Sequence, residues 1–339
     1  PQQRAFLTMN KPLVYVARRI PEKAFHILVA CCEIRLHTGE LPPKRDELLG
    51  GVAGCTGILS LLSDRIDAEV CDAAGSQLCV VSNFAVGFNN IDLAELRRRG
   101  IAIGNTPDVL TDATADIAVA LLLAVARRIG QARDDVLQGK WKTWEPLGWI
   151  GLDLVAAPFS TDGKPKRLGV IGMGRIGKAV AKRLHGGWGM EVVYTSRTSK
   201  QDVDQELSAR RVDLEELLES SDFVSLHVPL TAETEKLIGT AELELMKPTS
   251  ILINTSRGEV VDQQALVDAL RRRQLFGAGL DVCTPEPIPA GHPLLALNNC
   301  VLLPHIGSAT SAARNAMAER AAQNIVAGIR QDPLPYPVQ

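Results

Sequence analysis

The chain has 339 residues, 46% of them hydrophobic and 22% charged, with a formal net charge of -2. That length suggests two domains, and the composition excludes a disordered chain and a strongly basic surface for nucleic acid or anionic lipid. The longest apolar run, Ile117 to Ala126, falls far short of the roughly 18–20 residues that cross a bilayer.

Pro1 to Pro12 is polar and lacks the apolar stretch of a signal peptide, so a cytoplasmic protein is expected. The seven cysteines are odd in number, include the adjacent Cys31 and Cys32, and form no CxxC pair. Reduced thiols are expected, with neither a disulfide framework nor a metal site.

In chain order, the first strands are expected at Leu13–Ala17, Gly57–Leu62, Leu78–Ser82 and Ile101–Ile103, with a short helix over Leu93–Arg99 ending at Gly100. Thr111–Arg133 reads as one long helix, apolar on all sides and therefore buried. A loop or arm, Gly139–Pro165, then carries Trp141, Trp144 and Trp149.

From Arg167 the alternation restarts. Strands are expected at Arg167–Ile171, Glu191–Thr195, Phe223–Val228, Ser250–Asn254, Ala278–Val282 and Val301–Leu303. Helices are expected at Ile176–Leu184, Asp213–Ser220, Thr240–Met246 and Gln263–Arg272, with a last one over about Ala309–Arg330. Apolar strands alternating with helices predict a doubly wound α/β fold with parallel sheets.

Gly172-Met173-Gly174-Arg175-Ile176-Gly177 reads GxGxxG between an expected strand and an expected helix. Gly172 permits the tight turn, Gly174 lets a pyrophosphate approach the backbone, and Gly177 lets helix and strand pack closely. The N–H groups that open the helix, at Arg175 and Ile176, attract phosphate. At the end of the next strand, where an NAD enzyme carries an acid, the sequence reads Ser196-Arg197-Thr198. Either this segment receives a 2′-phosphate, favouring NADPH with NADH weaker, or it is a solvated basic loop.

Three polar residues follow expected strands at their carboxyl ends: Arg257, Glu286 and His305. An Arg fork grips a carboxylate, a His donates a proton to a developing alkoxide, and a carboxylate orients and charges that His. Each residue alone has a plain structural reading. Together in this fold they point to a 2-keto acid reductase.

The chain resembles the D-isomer-specific 2-hydroxyacid dehydrogenase family. The motifs that carry this are GMGRIG at 172–177, HVPLTAET at 227–234, INTSRGEVVD at 253–262, GLDVCTPEP at 279–287 and LLPHIGSAT at 303–310. LLSDRID at 61–67, TPDVLTDATAD at 106–116 and the Trp141/Trp144 pair resemble the animal members that reduce glyoxylate and hydroxypyruvate. The resemblance implies Arg257 as substrate anchor, Glu286 as partner of the His, and His305 as acid/base. It implies that the N–H groups of Val86 and Gly87 hold the substrate carboxylate. Asp281 and the Thr255 backbone would orient the nicotinamide carboxamide, Gly307 would contact the cofactor, and Pro229 would lie near the adenine.

The same resemblance implies a Rossmann cofactor domain, residues 107–304, inserted into a flavodoxin-like substrate domain made of 1–106 and 305–339, with catalysis in the cleft between them. It also implies a homodimer built on the tryptophan arm, with Trp144 reaching the partner's substrate. A D-3-phosphoglycerate dehydrogenase stays open as an alternative, although the Val86 loop lacks the cations that a phosphate calls for. So does a dinucleotide-sensing corepressor of the same fold. A formate dehydrogenase is disfavoured, because there the His pairs with Gln.

Overall fold

The computed structural model describes residues 11–155 and 164–338. The polar start of the chain, part of the Gly139–Pro165 arm and the last residue lie outside the described residues. The chain separates into two compact units. One runs to Leu110 and resumes at Thr310, and the other is Thr111–Ala309. These boundaries fall four or five residues after those expected, and they put His305 in the second unit.

The first unit holds β1 (Leu13–Val16), α1 (Glu22–Val29), β2 (Glu33–Leu36), α2 (Arg45–Val52), β3 (Gly57–Ser60), α3 (Ala68–Ala74), β4 (Val80–Asn83), α4 (Leu93–Arg98) and β5 (Ala102–Gly104). Its sheet is parallel throughout, in the order β2-β1-β3-β4-β5. That is the flavodoxin-like order, with its reversal between β1 and β3. Apolar residues of β1, β3 and β4 such as Tyr15, Ile58 and Val81 join Val52, Val70 and Leu96 in one core. The β2 strand escapes sequence reading because Glu33-Ile34-Arg35-Leu36 alternates exposed and half-buried residues, as an edge strand does. At the end of α4, Gly100 takes φ 72°, while its N–H bonds the Arg97 carbonyl and the Ile101 N–H bonds Leu96.

The second unit begins with α5 (Thr111–Ala126) and α6 (Ile129–Leu137). The single helix expected over Thr111–Arg133 is therefore two. Arg128 sits in the left-handed region at φ 53°, and the Ala126 carbonyl accepts from Leu152 instead of from the next turn. The returning arm thus caps α5, a contact that periodicity cannot foresee.

The rest of this unit is β6 (Arg167–Ile171), α7 (Arg175–Trp188), β7 (Glu191–Thr195), α8 (Gln201–Leu207), β8 (Arg210–Arg211), α9 (Leu214–Ser220), β9 (Phe223–Leu226), α10 (Thr240–Leu245), β10 (Ile251–Asn254), α11 (Gln263–Arg271), β11 (Gly277–Leu280) and β12 (Cys300–Leu302). The parallel sheet runs β12-β11-β10-β9-β6-β7-β8, so its order reverses between β6 and β9. Ile251 and Ile253 pack on one face and Leu252 on the other, the period of a strand buried on both sides. The closing helix, α12 (Ser311–Ile329), belongs to the first unit and packs on β3, β4 and α1.

Glycines in β11 set how closely α5 lies on the sheet. A Cβ at Gly277 would stand 2.6 Å from Val125, and one at Gly279 would stand 2.8 Å from the Leu121 Cβ. We expect Gly279→Ala to destabilise by about 1–3 kcal/mol through overpacking, and Leu121→Ala by about 2–5 kcal/mol through the cavity it leaves. Denaturant titrations check this, and the double variant should lose about the sum, because Leu121→Ala keeps the Cβ that the new methyl meets.

Candidate active site

Parallel pairing brings the carboxyl ends of neighbouring strands to one edge of the second sheet. β10, β11 and β12 are adjacent there, so the turns after them bring Arg257, Asp281 with Glu286, and His305 together. The Asp281 N–H bonds the Asn254 carbonyl, and the His305 N–H bonds the Asp281 carbonyl at 3.0 Å.

His305 lies at φ 54°, in the left-handed region. Such a backbone costs roughly 1–3 kcal/mol and persists only where its surroundings hold it. The buried Asp281 carboxylate does so, accepting from the Ile306 N–H at 2.8 Å and the Gly307 N–H at 2.7 Å. Burial raises the Asp281 carboxyl, and these two N–H groups oppose the rise. The Gly307 carbonyl accepts from the Thr114 hydroxyl at 3.1 Å.

With that turn fixed, His305 Nδ1 stands 2.9 Å from Glu286 Oε2, leaving Nε2 as the ring's outward nitrogen. Glu286 Oε1 accepts from the Cys283 N–H at 3.1 Å, so both carboxylate oxygens are engaged. Burial alone would raise the Glu286 carboxyl. The His305 bond, the Cys283 N–H and the Arg257 charge outweigh it and hold that carboxyl below its ordinary range.

Arg257 is half-buried. Burial pushes its guanidinium below the usual range, opposed by the charges of Glu286 and Glu259. Its turn is organised by a residue that sequence reading missed. The Asn254 amide donates to the Arg257 carbonyl at 2.8 Å and accepts from the Ser256 N–H and hydroxyl at 3.0 and 2.9 Å. Gly258 was missed too, although it lies inside the INTSRGEVVD string: a Cβ there would collide with the Cys283 carbonyl group. Thr255 is buried beside this turn.

The nucleotide motif sits at the reversal of strand order. Gly172 takes φ 97°, and a Cβ on it would stand 2.7 Å from the His227 carbonyl. A Cβ on Gly177 would run into the Gly172 carbonyl oxygen. Gly174, the residue capping α7, has nothing within 4 Å of where its Cβ would be. Open space at Gly174, the opening N–H groups of Arg175, Ile176 and Gly177, and a first turn without acids fit a dinucleotide pyrophosphate. Beside it, burial pushes the His227 imidazole down to about 3, with its Nε2 2.8 Å from the Ser225 hydroxyl. Pro229 is exposed nearby in sequence, its carbonyl accepting from Thr234 at 2.6 Å.

At the tip of β7 the Ser196 hydroxyl is turned inward and donates to the Thr198 carbonyl at 2.6 Å. Arg197 and Thr198 are exposed. Arg211, which sequence reading passed over, donates to the Ser196 carbonyl at 3.0 Å from the neighbouring β8. Its distance along the chain hides that proximity until β7 and β8 pair.

Val86 and Gly87 lie in the first unit, half-buried, just after β4. In the arm, Trp141, Trp144 and Leu147 are 68%, 80% and 81% exposed, so the described residues do not cover this surface. Trp149 differs, because the Arg128 guanidinium stacks 4.9 Å from its ring centre. Among the described residues, no helix is long and apolar enough to cross a membrane.

Residues 119–307 match the family model described as D-isomer specific 2-hydroxyacid dehydrogenase, NAD binding domain. A glyoxylate reductase of Korarchaeum cryptofilum is 48% identical over 94% of this chain and 92% of its own. The human glyoxylate reductase/hydroxypyruvate reductase is 44% identical over 95% and 96%. A solved NADPH-dependent glyoxylate/hydroxypyruvate reductase of Sinorhizobium meliloti, in complex with NADP and malonate, superposes with a TM-score of 0.83 at 31% identity, covering 97% of each chain. With its two parallel α/β units, its dinucleotide turn and these relatives, the chain belongs to the D-isomer-specific 2-hydroxyacid dehydrogenase family, oxidoreductases acting on the CH–OH group of 2-hydroxy acids.

Proposed function

We propose that this protein reduces glyoxylate to glycolate and hydroxypyruvate to D-glycerate, using NADPH in preference to NADH. The observation that carries the reading is the His305–Glu286 pair, 2.9 Å apart, whose neighbouring turn holds Arg257. The names of the relatives supply the substrate class.

In this reading the N–H groups of Val86 and Gly87 and the Arg257 fork hold the 2-keto acid. Reduced nicotinamide, when bound, supplies the hydride to the carbonyl carbon. His305 Nε2 gives its proton to the carbonyl oxygen as negative charge develops there. Glu286 keeps Nδ1 occupied and steadies the imidazolium. The α7 N–H groups and Gly172, Gly174, Arg175, Ile176 and Gly177 receive the pyrophosphate. Arg197 and Thr198 meet the 2′-phosphate, with Ser196 shaping their loop. Pro229 flanks the adenine, while Thr255, Asp281 and Gly307 border the nicotinamide.

The exposed tryptophan arm supports a homodimer, with Trp144 lent to the partner's substrate pocket. A cytoplasmic location, in keeping with the sequence-based expectation, belongs to the same proposal. A spectrophotometric panel of NADPH and NADH against glyoxylate, hydroxypyruvate, pyruvate and 3-phosphohydroxypyruvate tests the substrate and cofactor together. Preference for the phosphorylated acid would overturn it.

We expect His305→Ala to lose roughly two to four orders of magnitude in rate while staying folded. Reduction consumes the imidazolium proton, so activity falls on the alkaline side. Glu286→Gln removes the charge that steadies the imidazolium and should move that fall to lower pH. On the acid side, activity should persist below the ordinary carboxylate range, because the Glu286 carboxyl is held there. Rate profiles carried from pH 10 down to below the ordinary carboxylate range read both limbs.

Arg197→Ala should raise the Michaelis constant for NADPH roughly ten- to a hundredfold and leave that for NADH nearly unchanged. The 2′-phosphate is remote from the hydride, so kcat should hold. An equal penalty on both cofactors would make Arg197 a solvated surface residue.

Sedimentation at micromolar concentration should give twice the chain mass. Trp141→Ser combined with Leu147→Glu should give one chain mass, since a buried charge without a partner breaks an apolar interface. A wild-type monomer would remove the dimer.

A further inference from the structure

The loop after β4 has three successive peptide groups whose carbonyls are all engaged. The carbonyls of Ala85, Val86 and Gly87 are each held by a separate donor. Ala85 accepts from the Thr106 N–H at 2.8 Å. Val86 accepts from Asn105 Nδ2 at 2.8 Å, and Gly87 from Asn83 Nδ2 at 2.8 Å. In a trans peptide the N–H points opposite to its own carbonyl. Tying these three oxygens therefore turns the N–H groups of Val86, Gly87 and Phe88 away from their anchors. Among the described residues, no hydrogen bond takes any of those three N–H groups.

The two asparagines are themselves immobilised. Asn83 is fully buried, and its Oδ1 accepts from the Ser60 hydroxyl at 3.0 Å. The backbone of Asn105 is held at both ends: its N–H donates to the Tyr336 carbonyl at 3.1 Å, and its carbonyl accepts from Asn324 Nδ2 at 3.0 Å. Asn324 lies fully buried in α12 and also receives the Tyr336 N–H at 3.0 Å. On that held backbone the buried Asn105 side chain gives its amide N–H to the Val86 carbonyl.

We propose that Asn105 and Asn83 are positioning residues that aim the N–H groups of residues 86–88 at the substrate carboxylate, making a three-donor anion seat in which Phe88 is the third donor. The inference rests on the reading that the Val86–Gly87 backbone binds that carboxylate. Its physical content is preorganisation. An untied peptide can rotate and present its carbonyl oxygen to the anion, whereas a tied one meets it with a donor already in place. The asparagines act through the loop without touching the substrate.

The test uses the holoenzyme with bound dinucleotide and reads two quantities: the dissociation constant of oxalate, a small carboxylate probe, and the KM and kcat for glyoxylate. Asn105→Ala and Asn105→Leu both remove the donor to Val86, and the second nearly keeps the volume. Each should weaken oxalate and raise the KM for glyoxylate roughly tenfold, with the KM for dinucleotide unchanged. A merely structural role would lower the melting temperature and the active fraction but leave the oxalate affinity of the folded molecules where it was, and that result overturns the proposal. Gly87→Pro deletes one N–H outright and separates the two layers. If oxalate is lost in Gly87→Pro but kept in both Asn105 variants, the positioning role fails and the anion site stands. If oxalate binds normally in folded Gly87→Pro, the anion site itself fails.

Discussion

The bonds from the Ile306 and Gly307 N–H groups to the Asp281 carboxylate hold the active edge in shape. They join the end of β11 to the turn after β12 and keep His305 in a backbone conformation that an L-residue rarely adopts. Without them the turn would relax and the imidazole would leave Glu286. A carboxylate suits this task because one rigid group receives two N–H donors side by side. Its burial is tolerated because both oxygens are satisfied by short bonds.

A second constraint is close approach. Arg257 and Glu286 stand on neighbouring turns, and those turns can meet only because Gly258 presents no side chain to the Cys283 carbonyl. Cys283 in turn gives its N–H to Glu286. The same economy of volume recurs in the dinucleotide turn, where Gly177 lies against the Gly172 carbonyl and Gly172 against that of His227. In both places a missing Cβ fixes the distance between two strands' ends, and the charged side chains inherit their spacing from it.

Both anion receivers proposed for this protein draw on backbone N–H groups. At α7 the donors come from a helix start with no acid in its first turn. In the first unit they come from a loop whose carbonyls are tied by Asn105, Asn83 and the Thr106 N–H. Fixed dipoles need little reorganisation when an anion arrives, and they add no net charge that would attract stray anions. Cations among the candidate site residues are few: Arg257 in the turn after β10, and Arg197 in the exposed loop after β7.

Which elements exist, and which residues make up the candidate site, was largely legible in the chain itself. Strands buried on both faces appear as short apolar runs, Gly172 to Gly177 stand at a spacing that a phosphate turn requires, and Arg257, Glu286 and His305 each follow such a run. These are local facts, set by steric period and by the few residue types able to do acid–base and anion chemistry. The β2 edge strand was not legible, because its alternating pattern carries little apolar signal. Nor was the break in the Thr111–Arg133 helix, which depends on Leu152 returning to Ala126. The supporting residues Asn254, Asn83, Asn105 and Arg211 act through partners near or far in the chain. An asparagine that aims a peptide group is indistinguishable in sequence from one facing water. Only the tertiary structure brings its amide to a carbonyl, because hydrogen-bond direction is a property of atoms in space and leaves no period in the sequence.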